Sequence, residues 1–348
     1  MDFLQSLDIF LKQRSPKTWV TKNWVTTLLI VINVAVFIAM LINGAGLWHS
    51  PNNIQLGWGA NFGPATQDGE WWRLASAIFL HFGLVHLALN CFSLWEVGQL
   101  TERMYGKLSF IIIYFTSGLF GNLFSLVMQG NVAVSGGASG AIFGLYAALL
   151  IFLWREKSQI ASVEFRWLFW GAFGLAAATI ILGFIIPGID NAAHIGGFFA
   201  GGLTSIIFSQ PVRAKAFSKN ISLIASFIMI FLIAVLIKNI PAPKYRWSQE
   251  LLLRSEISQF LYEDQSINRS WLDIIDKSKQ GLASDSDLAG QIDSTIVNRY
   301  DESFEKLSKL PVNPNLPSAI QLQNILQYAK QRQQESKVIA DKLRQSKQ

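Results

Sequence analysis

The chain has 348 residues, 51% of them hydrophobic and only 15% charged, where an ordinary soluble domain carries about 25% charged residues. That balance excludes a simple soluble enzyme. The net charge of +6 invites a nucleic-acid reading, but the cations of residues 1–240 lie in short clusters between long apolar runs, so the sequence favours membrane flanks and no nucleic acid. A lone cysteine, Cys91, excludes a disulfide framework and any Cys-based zinc site.

Residues 1–23 hold Lys12, Arg14, Lys17 and Lys22 after a modestly apolar start and show no cleavage pattern, so they read as a retained cytoplasmic segment. Crossing a bilayer takes about 20 mainly apolar residues. Seven stretches meet that length, at approximately 24–43, 74–98, 108–128, 138–154, 167–186, 191–209 and 221–240. With the N-terminus inside, the inner loops carry Arg103, Lys107, Arg155, Lys157, Arg166, Arg213, Lys215 and Lys219, while the outer loops between spans carry only Arg73. Trp24, Trp154 and Trp167 fall at span ends, where indoles favour the interface. After Ile240 the composition turns to mixed charge, Gln and Ser, which reads as a polar helical tail over 241–348. A break is expected at Pro311–Pro314, followed by loose helical spacing of Ile325, Ala329, Ile339 and Leu343.

Polar side chains in hydrocarbon are costly and demand a partner or a function. The second span carries His81, His86 and Asn90. Four residues of helix separate the last two and put them on one face, where both can donate to one shared point. The fourth span opens with Ser135-Gly136-Gly137-Ala138-Ser139-Gly140, a serine among glycines at a helix start, where free N–H groups favour a developing negative charge. The sixth opens with Asp190-Asn191-Ala192-Ala193-His194, followed by Gly197 and Gly201. Spans two, four and six run in the same direction, so their starts share one depth. Gly140 and Gly144 on span four, with Ala193, Gly197 and Gly201 on span six, form rows of small residues that permit near backbone contact. His194 is then placed to take the proton of Ser139 and return it to a leaving amine, as a dyad. His86, Asn90 and the backbone N–H of Ser139 are expected to form the oxyanion hole.

These residues resemble the rhomboid intramembrane serine proteases. Gly137-Ala138-Ser139-Gly140 looks like the family's GxSG nucleophile motif, Ala193-His194 with Gly197 and Gly201 like its AHxxGxxxG motif, and His86 to Asn90 like its HxxxN element. Trp72-Arg73 matches the paired residues of the large first loop, and Glu102-Arg103 with Gly106 the turn after the second span. The resemblance covers residues 70–205 well and the first span loosely. It implies a six-span catalytic core over 24–210 and cleavage of transmembrane protein substrates; with the histidines needed there and no carboxylate cluster beside them, no metal or organic cofactor is expected. Some members carry a Tyr four residues after the nucleophile, stacked on the imidazole; here that position is Phe143, which keeps the ring and loses the phenol.

The expected fold is therefore an all-α polytopic membrane protein, a six-helix rhomboid-like bundle plus a seventh transmembrane helix (221–240) and a soluble helical tail. His81 and His49 read as interfacial, Ser135 and Asn191 as caps, Glu102 and Arg103 as a polar pair at the inner surface, and Trp71, Trp72 and Arg73 as loop structure. A catalytically silent client-binding relative is the alternative, disfavoured by the presence of both Ser139 and His194. A transporter is disfavoured because no internal repeat is found. A bacterial cytoplasmic membrane is the expected location.

Overall fold

The computed structural model describes residues 23–130, 132–158, 160–208, 219–310 and 313–345. Lys12, Arg14, Lys17, Lys22, Arg213, Lys215 and the Pro311-Val312 half of the expected break lie outside them. The chain divides into two compact units, one ending at Pro243 and one spanning Lys244–Gln348.

The first unit is a helical bundle. Helix α1 (Trp24–Ile42) is followed by a long loop bearing α2 (Asn52–Gly57), α3 (Gly63–Gln67) and α4 (Arg73–Ser76), the last continuing into a 3-10 turn at Ala77–Phe79. Then come α5 (Leu84–Tyr105), α6 (Lys107–Gln129), α7 (Ser139–Arg155), α8 (Ser162–Ile185), α9 (Asn191–Ile207) and α10 (Lys219–Lys238). Among the described residues, the only β pairing is an isolated antiparallel bridge between Asn61 and Ser135.

Four of these helices, α1, α6, α8 and α10, are long and apolar enough to cross a membrane, and a fifth span exists if the bent pair Arg73–Phe79 and Leu84–Tyr105 counts as one. All seven expected stretches fall on helices, and the structure refines two points. The second stretch is not one helix from residue 74, because the chain turns by 90° across Leu80–Gly83 before α5 begins. Helices α7 and α9 have 17 residues each, which at 1.5 Å per residue is about 25 Å against a hydrocarbon core of about 30 Å. Protein rather than lipid surrounds α7, most of whose side chains are buried. Irregular backbone at membrane depth is tolerated in such a setting because protein groups satisfy it.

Helix α7 is the axis of the main core, where Ile142, Leu145, Leu149 and Leu153 meet Leu94 and Val97 of α5 and Phe110, Ile113 and Tyr114 of α6. Helices α6, α7 and α9 pack closely because their facing residues are small. A Cβ on Gly197 would collide with the carbonyl oxygen of Gly140, one on Gly201 with the backbone of Gly144, and one on Gly121 would stand 2.6 Å from the carbonyl of Ala193. Helix α10 lies against α6 and α9 through Leu236, Phe120, Leu126 and Ala200.

The start of α1 is capped from a distance. The Glu102 carboxylate, 2% exposed, accepts hydrogen bonds from the backbone N–H of Val25 (3.3 Å) and Thr26 (2.8 Å) and from the Thr26 hydroxyl (2.7 Å). An acidic group satisfying orphan donors at a helix N-terminus also opposes the positive end of its dipole. Glu102 and Arg103 are thus not a pair, since the Arg103 Nε instead donates to Asn23 Oδ1 at 3.2 Å.

The second unit is all helical: α11 (Trp247–Lys279), α12 (Asp285–Ile292), a π-helical turn at Asp293–Val297, α13 (Asn298–Ser308) and α14 (Ala319–Gln345). It has its own core of Leu253, Ile257, Phe260, Ile267, Ile292, Ile296, Tyr300 and Leu322. A turn at 280–284, which the sequence reading passed over, is closed by a capping box in which Ser284 and Asp287 satisfy each other's backbone. On α14 the buried row is Leu322, Ile325, Ala329, Ser336 and Ala340; Ile339, expected on it, is exposed.

Candidate active site

Ser139 is the first residue of α7, and the chain reaches it through Gly137, which holds φ at 149°, a conformation side chains rarely adopt. Three contacts hold that approach. Ser135 and Asn61 exchange backbone hydrogen bonds at 2.8 and 2.9 Å, and the Gly137 N–H donates to the Ala77 carbonyl at 2.8 Å. The Asn61 amide donates to the Asn122 carbonyl at 2.9 Å, and the Asn122 amide to that of Leu74 at 2.8 Å, which ties the first loop to α6.

His194 lies on the first turn of α9, 4% exposed, with its Nε2 2.8 Å from Ser139 Oγ. The close approach of α7 to α9 follows from the glycine rows, and it brings together two side chains 55 residues apart. Phe143, one turn after Ser139, stacks on the imidazole with centroids 4.4 Å apart and planes 8° from parallel. No described residue hydrogen-bonds His194 Nδ1. The geometry is a serine–histidine contact with an aromatic ring stacked on the imidazole.

His86, on the first turn of α5, faces the same place. The Phe82 backbone N–H donates to its Nδ1 at 3.4 Å, so in the neutral ring Nε2 carries the hydrogen. That nitrogen lies against Gly137, where an added Cβ would stand 3.0 Å from both Nε2 and Cε1. A hydrogen-bond donor is therefore presented beside the serine, and only a glycine at 137 leaves it room. Asn90, 6% exposed, commits one amide hydrogen to the His86 carbonyl at 2.9 Å, while its Oδ1 has no partner among the described residues. Together with the first-turn N–H groups of α7, these donors have the character needed to receive an oxyanion.

The expectations for His81, Ser135 and Asn191 change. His81 is not interfacial: it is fully buried, edge-on to His86 with centroids 5.1 Å apart. His49 is exposed. Arg73 is a loop strut, 4% exposed, donating to the carbonyls of Leu56 (2.7 Å) and Ala60 (3.1 Å) and paired with Glu70 at 2.5 Å. Asn191 and Ser135 are not caps. The cap of α9 is Asp190, whose carboxylate accepts from the Ala193 N–H at 2.9 Å. Asn191 instead donates to the Ile180 carbonyl of α8 at 3.0 Å, and the Ser135 hydroxyl donates to Asp190 at 2.5 Å. The sequence pattern points to Asn191 as the cap, and the other partners of Asp190 lie 55–65 residues away in the chain. No group of three or more His, Cys, Asp and Glu among the described residues is arranged to hold a metal ion.

Comparison with known proteins follows the same residues. The rhomboid domain matches positions 68–211. A Bacillus subtilis (strain 168) protein, rhomboid protease GluP, is 33% identical over 239 residues, covering 67% of this chain and 44% of its own. This chain thus spans less than half of that relative's length. The rhomboid protease AarA of Providencia stuartii is 31% identical over 229 residues, 60% of this chain and 81% of that one. An Arabidopsis thaliana protein named inactive RHOMBOID-like protein 8 is 35% identical over 147 residues, 41% and 39% of the two chains.

Proposed function

Because this chain belongs to the rhomboid family and is an integral membrane protein, we propose that it is an intramembrane serine endopeptidase working through Ser139 and His194. The observation that carries this is the 2.8 Å contact between Ser139 Oγ and His194 Nε2 at the packed ends of α7 and α9. His194 takes the hydroxyl proton as Ser139 attacks a peptide carbonyl, then returns it to the leaving amine; water repeats the sequence on the acyl-enzyme. The oxyanion is received by His86 Nε2, the Asn90 amide and the first N–H groups of α7. Gly137 and Gly140 keep the approach to Ser139 open, Gly197 keeps His194 close, and Phe143 holds the imidazole plane.

Substrates are membrane-anchored proteins cut near the outer end of a transmembrane helix, where Gly, Ser or Pro eases unwinding. The domains divide as the catalytic bundle over 24–210, the further membrane helix over 221–240 and the polar tail over 241–348. The location is the bacterial cytoplasmic membrane, in the N-terminus-inside orientation that the loop charges favour. An inactive-named relative among the matches supplies the alternative of a silent client-binding protein. Labelling by a serine-reactive fluorophosphonate separates the two: labelling and cleavage that vanish in Ser139→Ala and His194→Ala support the protease, and an unlabelled wild type sinks it.

A further inference from the structure

Asp190 stands four residues before His194, and Ser135 four residues before Ser139, so the Ser135–Asp190 contact (2.5 Å) and the Ser139–His194 contact (2.8 Å) are successive rungs between the same two chain segments. The carboxylate does more than cap. Its Oδ1 accepts from the Ala193 N–H (2.9 Å) and the Gln129 amide (2.6 Å), and its Oδ2 from the hydroxyls of Ser125 and Ser135 (2.5 Å each). Four donors thus converge from three segments: the end of α6, the glycine-rich approach to Ser139, and the start of α9. A cap needs only the first of them. A third member of a catalytic triad would bond His194 Nδ1, and that atom has no partner among the described residues.

We propose that Asp190 is a positioning residue that bolts the nucleophile's approach segment to the helix of the base and so sets the Ser139–His194 distance. The proposal rests on the dyad reading given above. Gly136 and Gly137 give the approach segment little side-chain packing of its own, so its place depends on discrete anchors: Asn61 and Ala77 on one side, Asp190 on the other. Of these, only Asp190 belongs to the helix that carries His194. Hydrogen bonds to an ionised acceptor are short and about twice as strong as neutral ones, which suits a bolt between two elements that must not slide. Ser125 and Gln129 brace the same carboxylate from α6 and fix where it stands.

Three variants in the full chain, in liposomes, separate positioning from general stability. Ser135→Ala removes the rung beside the nucleophile. Asp190→Asn keeps a competent cap and removes the charge and the second acceptor oxygen. Glu102→Ala removes the carboxylate that caps the start of α1, outside the Asp190 network. The expected result is a fall in kcat and in fluorophosphonate labelling rate of at least about tenfold for Ser135→Ala and Asp190→Asn, with KM little changed, because misplaced reacting groups cost rate rather than binding. The Ser135→Ala/Asp190→Asn double variant should lose no more than the worse single, and Glu102→Ala should lower Tm while keeping kcat. Wild-type labelling and turnover in both Ser135→Ala and Asp190→Asn would overturn the positioning role, as would kcat losses that merely track Tm across all three variants. A wild-type chain that neither labels nor cleaves overturns the dyad itself, and this proposal with it.

Discussion

Gly197→Ala tests whether backbone proximity of α7 and α9 builds the site. The added methyl meets the carbonyl oxygen, carbonyl carbon and Cα of Gly140, all backbone atoms, the last at 3.0 Å and the others closer. No rotamer relieves such a clash, so the helices must part by about 1 Å to restore van der Waals separation. Overpacking of this kind costs about 1–3 kcal/mol. Against it stands a gain of about 0.5–1 kcal/mol for replacing glycine within a helix, so net destabilisation of up to about 2.5 kcal/mol is expected. Rate should suffer more than stability. Gly140 adjoins Ser139 and Gly197 follows His194 by one turn, so the parting falls on the 2.8 Å contact itself, and a displacement of about 1 Å there costs about 10²-fold in turnover. Gly174→Ala on α8 is the matched control, since its Cβ meets nothing within 4 Å. The assay is cleavage of a reporter transmembrane substrate in liposomes, with thermal unfolding measured alongside. A Gly197→Ala protein that turns over like the wild type, or a Gly174→Ala protein equally impaired, refutes the argument.

Asn90→Ala should lower kcat by about 10²-fold with KM nearly unchanged, since an oxyanion donor engages in the transition state; a pure KM increase would assign Asn90 to substrate binding. Glu102→Ala strips the start of α1 of three hydrogen bonds and should cost at least about 1–3 kcal/mol for the buried donors it orphans. It should appear as a lower Tm with normal kcat per labelled serine. In the tail, burial and the hydrogen bond to Asp264 (2.7 Å) push the Tyr300 phenol above its ordinary value. A pKa raised on folding means the folded state holds its proton more tightly. The stability this brings is complete below the ordinary tyrosine pKa of about 10 and is lost as pH rises beyond it. Tyr300→Phe should flatten that alkaline loss, followed by the tail's unfolding transition in the full chain; an unchanged slope would show that the phenol is not the group responsible.

The apolar stretches and the serine and histidine that meet were legible in the sequence because each rests on local pattern. Apolar runs of membrane length are set by composition, a serine among glycines at a helix start is a stretch of six residues, and the Gly140/Gly144 and Gly197/Gly201 rows are read directly at helical spacing. Phe143 against His194 was expected from the family resemblance rather than from local pattern. What local pattern could not supply was the partner of each polar group. The chain from Arg73 to Asn90 reads as one apolar stretch, yet it folds as two helices at 90°, because Gly137 and Ser135 dock against Ala77 and Asn61 from more than fifty residues away. Arg73 looks the same on the page whether it snorkels to an interface or, as here, is buried on the carbonyls of its own loop. Glu102 reads as a partner for the arginine beside it and in fact caps a helix 76 residues earlier. Asn191 reads as the cap of α9, whereas the cap is Asp190, which is also a junction of three segments. Backbone geometry and hydrophobicity act over a few residues, and the sequence records them in order. A buried hydrogen bond is decided by which donors the packed helices carry to an acceptor, and that is a property of the closed bundle alone.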